Sequence, residues 1–262
     1  MAVFAFCRLT FALPLLILAI DTAGRNGGVA LARGDGHVVE LMGSAALAGG
    51  MYSAELMPRI DGLLQQHKLA LRDLDGFAVA AGPGSFTGLR VGLATVKGLA
   101  EIVERPIAAV SVLEAVAELA QAETGQFLPH GILFAALDAG RGEVYLAEFR
   151  VQAGQRELLR EELVSREGLV AHVRGQEQGG AGPVVTPDSA IVEALLAGGL
   201  AAVQVAMPGA GDIARLGLAK LAAGDVVPAA TLDANYIRRS DAEIFAAPGA
   251  KPTTETLRRG GK

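Results

Sequence analysis

Two aspartates lie in sequence positions that are suited to binding a phosphate group and a divalent cation. Asp21 and Asp138 each follow an apolar run and precede small residues, in DTAG (21–24) and DAG (138–140). Carboxylates, together with waters and phosphate oxygens, are the ligands that Mg²⁺ prefers. The alternative is that each aspartate only caps a turn where a strand ends. The candidate site for ATP or ADP with Mg²⁺ comprises Asp21, Thr22, Asp138 and Gly140.

The sequence lacks the motifs that are typical of zinc proteases and serine hydrolases. The four histidines are widely separated, so no His-x-x-x-His zinc pair exists, and no Gly-x-Ser-x-Gly elbow is present. Cys7 is the single cysteine, which excludes an intrachain disulfide and favours a reducing compartment. We therefore expect no metal site and no catalytic nucleophile.

The segment GPGSFTGLR (82–90) has the composition of a turn that starts a helix. It is not a Walker A loop, because Gly-Lys-Ser/Thr is missing. We predict a type II turn at Pro83-Gly84, with a positive φ at Gly84, and a helix capped by Thr87. Backbone amides at the start of this helix could bind an anion, but a capped turn also explains the same residues.

Hydrophobic periodicity and turn residues predict the elements of the first half. GRNGG and GDG are typical of hairpin turns between the first three strands. Pro58 is expected in or near the first turn of its helix. The predicted strands are 15–22, 28–32, 38–42, 76–81 and 106–110, and the predicted helices are 53–67, 87–104 and 112–121.

The same scheme of three hairpin strands followed by alternating helix and strand returns after residue 130. An α/β mixed-sheet unit given twice is typical of the duplicated actin, hexokinase and Hsp70 folds. We predict subdomains at 15–122 and 123–228, an extension at 1–14 and a mostly irregular tail at 229–262. The second set of strands is 131–137, 143–151, 157–163, 184–186 and 203–207, with helices at 167–173, 189–197 and 213–222.

The helix predicted at 87–104 carries glycines on one face. Gly88, Gly92, Thr95 and Leu99 are spaced by four, three and four residues. An interior glycine costs a helix about 1 kcal/mol relative to alanine. A seam of small residues lets another helix approach closely, either from this chain or from another subunit. The helix at 53–67 is the other candidate for that surface.

Composition and the amino terminus limit the possible partners. The net charge of −5 does not favour electrostatic binding of nucleic acid. The first residues resemble a secretory signal. However, the apolar run at 15–20 ends on Asp21-Thr22, and the next predicted strand needs a neighbouring strand to pair with. We therefore interpret the run as a buried strand. The run is too short for a membrane span, and residues 1–14 are then an extension or a misassigned start.

Five segments in order resemble the bacterial TsaB family. They are LILAIDTA, YSAELMPRID, FAVAAGPGSFTGLRVGLATVKGLA, LDAGRGEVYLAEF and NYIRRSDAE. The resemblance covers about residues 15–245, and it implies an actin-like fold with no active site of its own. It also implies the role of dimerisation subunit in a cytoplasmic complex that makes N6-threonylcarbamoyladenosine in tRNA. The catalytic subunit TsaD would perform the transfer, the ATPase TsaE would complete the system, and tRNA would be contacted only through the complex.

The resemblance also implies which surface binds the partner. The two helices around GPGSFTG would form a bundle with the partner's helices or, in a homodimer, with those of a second copy. Two other hypotheses stay open here: an actin-fold ATPase or phosphotransferase that uses Asp21 and Asp138, and a secreted peptidase-like protein. The expected interface residues are Ser53, Leu56, Ile60, Leu63, Leu64, Gly84, Phe86, Thr87, Gly88, Val91, Gly92, Thr95 and Leu99.

Overall fold

The computed structural model describes residues 13–124, 130–153, 155–175 and 181–237. The predictions for Cys7, for the extension before residue 13 and for the tail beyond residue 237 lie outside these residues. Between residues 229 and 237 the described part of the tail has no helix or strand, and the prediction for the whole tail stays a prediction.

The first half is a five-stranded mixed sheet. Three strands pair antiparallel through the predicted hairpins, and two further strands add in parallel to the other side of the first strand. The strands are β1 (Leu15–Asp21), β2 (Asn26–Gly34), β3 (Val39–Ala48), β4 (Gly76–Gly82) and β5 (Ile107–Ser111). The helices are α1 (Tyr52–Gln66), α2 (Phe86–Val103) and α3 (Val112–Thr124), with a 3₁₀ turn at Leu71–Asp73 that was not predicted.

The second half repeats this arrangement. Its first three strands are again antiparallel neighbours, and the next two add in parallel. The strands are β6 (His130–Gly140), β7 (Glu143–Gln152), β8 (Gln155–Ser165), β9 (Ala181–Thr186) and β10 (Ala202–Gln204). The helices are α4 (Arg166–Gly175), α5 (Ser189–Ala197) and α6 (Ala210–Ala223).

The two sheets share one strand order, which confirms the duplicated fold. The first runs β3-β2-β1-β4-β5 and the second β8-β7-β6-β9-β10 when listed in the same direction. Buried strands of Ile, Leu, Val and Ala fill both cores, as expected for sheets covered by helices. The protein therefore has the duplicated actin-like α/β fold with two mixed sheets.

One helix position differs from the prediction. Pro58 lies inside α1, beyond its first turn, and is exposed. Proline removes one hydrogen bond there, but the opposite face of the helix buries Leu56, Ile60 and Leu63. Tertiary packing supplies most helix stability in proteins, so the helix continues through the proline.

The last described helix packs on the first sheet and not on the second. α6 buries Ile213, Gly217 and Leu218, and a Cβ at Gly217 would overlap the Ala78 side chain of β4. The division at residues 122 and 123 stays a proposal. Within the described part of the chain, no helix is both long enough and apolar enough to cross a membrane.

Candidate functional site: the cleft between the halves

The end of β1 is fastened to the start of α2 by two hydrogen bonds. The Thr22 hydroxyl donates to the Gly88 carbonyl at 2.8 Å, and the Ser85 amide donates to the Ala23 carbonyl at 2.7 Å. Thr22 is fully buried. The Thr22 side chain therefore fixes the start of α2 against the end of β1.

The glycines of α2 make this close approach possible. A Cβ at Gly88 would overlap the Thr22 carbonyl oxygen, and one at Gly92 would overlap the Thr22 hydroxyl. Gly84 is similarly close to Ala23. The prediction that this glycine face receives a partner helix is wrong for Gly88 and Gly92, because both glycines face β1 of the same chain.

The expected interface residues divide into two groups in the structure. Ser53, Gly84, Phe86 and Thr87 are exposed, and Val91 and Thr95 are half-buried, so these six remain predicted contacts. The other members face inward and are covered by this chain: Leu56, Ile60, Leu63, Leu64, Gly88, Gly92 and Leu99.

The turn before α2 differs in detail from the predicted type II turn. The positive φ belongs to Gly82, at 121°, and not to Gly84. A Cβ at Gly82 would approach the Asn235 carbonyl to 2.8 Å, so glycine suits both the backbone angle and the close neighbour. The helix cap is Ser85, whose hydroxyl accepts a hydrogen bond from the Gly88 amide at 3.3 Å, and not Thr87.

Asp21 lies beneath the cleft and not in its wall. Its side chain is buried, and one carboxylate oxygen accepts a hydrogen bond from the Ala23 amide at 2.9 Å. Burial raises the pKa of this carboxyl to about 6, the Ala23 amide opposes that rise, and the charge of Asp212 adds to it. An ionised carboxylate at this position therefore costs the fold free energy.

Asp138 reaches the cleft but is already engaged. Its carboxylate accepts hydrogen bonds from Arg166 at 2.7 Å and from the Gly140 amide at 3.1 Å. Its own amide donates to Asp188 at 2.7 Å. Asp138 and Gly140 line the cleft, whereas Asp21 and Thr22 do not. The proposed Mg²⁺-nucleotide site stays a prediction. In the structure, the carboxylate of Asp21 is buried and that of Asp138 is paired with Arg166.

The cleft between the halves has a volume of about 1300 Å³. Arg25, Arg90 and Arg141 line it, while Asp138 is the one carboxylate among its described lining residues. Sequence reasoning missed these arginines. A signal was present, since Ala-Gly-Arg follows both Asp21-Thr22 and Asp138.

A cation and two rings form the wall of the cleft beside α2. The Arg90 guanidinium lies 3.8 Å from the centre of the Phe86 ring, and Arg90 Nε donates to the Tyr236 hydroxyl at 3.3 Å. The Phe86 and Tyr236 ring centres are 5.1 Å apart. The tail is held there by the Asn235 amide, which donates to the Ala81 carbonyl at 2.7 Å. Residues 235–237 of the tail therefore form part of the lining of the cleft.

Comparison with known proteins gives one family. A family model described as "TsaD: tRNA N6-adenosine threonylcarbamoyltransferase" matches residues 46–215. The chain is 36% identical over 140 residues to the tRNA threonylcarbamoyladenosine biosynthesis protein TsaB of Bacillus subtilis (strain 168), covering 53% of this chain and 57% of that protein. It is 37% identical over 134 residues to TsaB of Escherichia coli (strain K12), covering 51% and 54%. The chain thus spans about half the length of the curated relatives it matches.

Two solved structures from Pseudomonas aeruginosa are similar over most of the chain. One is titled YeaZ, with 28% identity and a TM-score of 0.64, covering 84% of this chain and 99% of that chain. The other is titled an uncharacterized protein with similarity to peptidase YEAZ, with 27% identity and a TM-score of 0.67, covering 86% and 100%. With the family match over residues 46–215, these likenesses show that the chain belongs to the tRNA N6-adenosine threonylcarbamoyltransferase (TsaD) family and, within it, to the proteins named TsaB.

Proposed function

We propose that this protein is a non-catalytic subunit that binds and activates TsaD during threonylcarbamoyl transfer to tRNA adenosine. The observation that carries the proposal is the similarity to two proteins named for tRNA threonylcarbamoyladenosine biosynthesis. TsaE would act in the same cytoplasmic complex, and tRNA would be reached through that complex, in keeping with the chain's net charge of −5.

The outer face of α2 is the surface that we assign to the partner, and we call it the docking face. It is built mostly of small residues and ends on Ile102, whose side chain is 75% exposed. An exposed apolar surface of this kind is typical of an interaction site. A Cβ at Gly98 would meet no atom within 4 Å, so the glycine that faces outward is Gly98. The docking face comprises Thr87, Val91, Ala94, Thr95, Gly98 and Ile102.

The proposal assigns the chemistry to the partner. Among the described residues, no three His, Cys, Asp or Glu side chains are grouped so that they could hold a metal ion. The experiment is therefore reconstitution: the purified chain is added to TsaD, TsaE, threonylcarbamoyl-adenylate and tRNA, and the modified nucleoside is quantified. Stimulation of TsaD is expected. Transfer by the chain without TsaD would contradict the proposal.

Gly98→Leu is expected to block assembly while sparing the fold. The leucine would raise helix propensity by up to about 1 kcal/mol, and it would project into open space. At a packed interface the same side chain would cost ~1–3 kcal/mol, which corresponds to a roughly tenfold or greater loss of affinity. Calorimetric titration into TsaD measures the loss.

Gly175→Leu is the matched control, because an added Cβ at Gly175 also meets nothing and α4 lies in the second half. Its affinity for TsaD should equal that of the unmodified chain. If Gly98→Leu bound TsaD normally, the assignment of α2 to the interface would be wrong.

Self-association is expected through the same docking face when TsaD is absent. Apolar residues left uncovered tend to pair, and a symmetric dimer brings the same patch from both copies together. Sedimentation at micromolar concentration should show a dimer, and Gly98→Leu should shift it towards the monomer. A dimer that Gly98→Leu does not weaken would place self-association elsewhere on the molecule.

A further inference from the structure

The tail after α6 returns to the first half and joins it to the second. The Asn235 amide donates to the Ala81 carbonyl in β4 at 2.7 Å, and the Asn235 side chain donates to the Glu161 carboxylate of β8. The other oxygen of Glu161 accepts a hydrogen bond from the Ser111 hydroxyl at 2.5 Å, where β5 ends. One carboxylate of the second half thus receives two donors held by the first. We call Asn235, Glu161 and Ser111 the clasp.

The first half is fitted to the tail at two consecutive residues. A Cβ at Gly82 would lie 2.8 Å from the Asn235 carbonyl oxygen, so glycine leaves room for the tail there. The Tyr236 hydroxyl accepts a hydrogen bond from Arg90, and its ring packs beside Phe86. The tail therefore belongs to the first half through Asn235 and Tyr236, and it reaches the second half through one side chain.

Helix α3 makes a different kind of contact between the halves. It packs against β6, β7 and β9 of the second sheet. One buried hydrophobic cluster contains Val116 of α3 together with Leu133 and Phe149 of that sheet. Arg156 of β8 and Glu118 of α3 add an ion pair. Packed elements of this kind stay together but can slide or turn on each other, so α3 is the support on which the second half can turn.

The clasp is easier to open than the contact at α3. Asn235 is exposed and Glu161 is half-buried, and residues 229–237 form no helix or strand. Segments with few buried apolar contacts open locally at low cost in free energy. Separating the cluster around α3 would instead expose apolar surface to water. Release of the tail therefore frees a rotation about α3 before it disturbs the fold of either half.

We propose that the clasp sets the separation of the two halves, and that release of the tail lets the second half turn about α3. The tail also steadies the first turn of α2, since Tyr236 contacts both Phe86 and Arg90. Thr87, which belongs to the docking face, follows Phe86 directly. Binding of TsaD and closure of the clasp therefore favour each other, because such linkage is reciprocal. This second statement rests on the proposed function.

Pulsed EPR with one spin label on each half tests the clasp in the isolated chain. Cys7→Ser removes the single cysteine, and the labels are attached through Gln66→Cys in α1 and Glu193→Cys in α5, both at exposed positions. The intact clasp should give one narrow distribution of distances. Asn235→Ala and Glu161→Ala should each broaden or shift it. Unchanged distributions in both variants would overturn the proposal.

Glu157→Ala is the matched control. Glu157 lies on the same strand as Glu161, but it pairs with Arg150 of the second half at 3.0 Å. Its removal takes the same charge from β8 and leaves the clasp intact, so the distribution should stay narrow. Equal broadening would reject the clasp in favour of a general effect of charge on β8. Circular dichroism checks the fold of each variant, and Asn235→Ala decides the question if Glu161→Ala does not fold.

The link to TsaD is measured with the same labelled chain. TsaD should restore the narrow distribution in Asn235→Ala, and it should bind this variant about fivefold more weakly than the chain with an intact clasp. Equal affinity for the two would overturn the link. If the chain with an intact clasp did not bind TsaD, the docking proposal would fail, and the distances in the isolated chain would still decide the clasp.

Discussion

Gly92→Leu is expected to destabilise the protein by roughly 3 kcal/mol or more. A side chain at Gly92 would collide with the Thr22 hydroxyl, and its next neighbour is Ile20 of β1. The collision would push α2 away from the strand end and break the hydrogen bond from Thr22 to Gly88. Any gain in helix propensity, at most about 1 kcal/mol, is too small to compensate. Urea unfolding followed by circular dichroism measures the change.

The matched control for this substitution lies on the same helix. Gly98→Leu makes the same chemical change where an added Cβ meets nothing, so it should keep or raise the unfolding midpoint. The pair separates packing against β1 from the general effect of removing a helical glycine. If Gly92→Leu unfolded at the same denaturant concentration as Gly98→Leu, the inward orientation of Gly92 would be wrong.

Asp21→Asn is expected to stabilise the protein at pH 8 by about 3 kcal/mol. Burial raises the pKa of Asp21 in the folded state from 3.8 to about 6. At pH 8 the carboxylate is ionised in both states, and the folded state is charged at a buried position. Asparagine removes that charge while keeping an oxygen that can accept the hydrogen bond from Ala23.

The advantage of Asp21→Asn in folding stability is expected to depend on pH. A raised carboxyl pKa means that the folded protein binds a proton more tightly than the unfolded chain does. The Asp21 contribution therefore destabilises the fold fully above about pH 6 and fades as the pH falls from 6 towards 3.8. The advantage of Asp21→Asn should shrink over the same interval. Thermal melts of both proteins between pH 4 and pH 8 test this, and an advantage that grew at low pH would contradict it.

Asp35 provides a control of opposite sign. It is exposed, and backbone amides of Val38 and His37 lower the pKa of its carboxyl. Its ionised form is therefore favoured in the folded state, and that small contribution is lost as the pH falls. Asp35→Asn should be neutral or mildly destabilising at pH 8. A stabilisation like that of Asp21→Asn would show that general charge reduction, and not burial, explains the first result.

Much of the fold could be predicted because local signals and tertiary packing agree. Helix α5 spans the predicted Ser189–Ala197, where Asp188 marks its start. The prediction fell short at β3, which continues to Ala48. Apart from Leu47, its residues from Gly43 onwards are small and have little preference for strands. Pairing with β2 along that stretch makes them a strand, and such pairing is not visible in local sequence.

The cleft was harder to predict than the fold. Spacing shows that Gly88 and Gly92 share a helix face, but it does not show whether that face meets β1 or another subunit. The three lining arginines are far apart in the sequence: Arg25 and Arg90 belong to the first half, and Arg141 reaches the same cleft from the second. Asp21 was recognised as unusual from its position after a strand. The charge of Asp212, which adds to the raised pKa of Asp21, belongs to α6 and comes much later in the chain.

The path of α6 also sets the order in which the molecule can be completed during synthesis. The helix made after the entire second sheet returns to cover the first, where it contacts β1, β2, β4 and β5 and pairs Lys220 with Glu114 at 3.3 Å. A nascent chain that has left the ribosome only as far as α3 has a first sheet with one apolar face still bare. Domains usually fold in turn as they emerge. Here we expect the amino-terminal half to complete its core only after α6 has been synthesised.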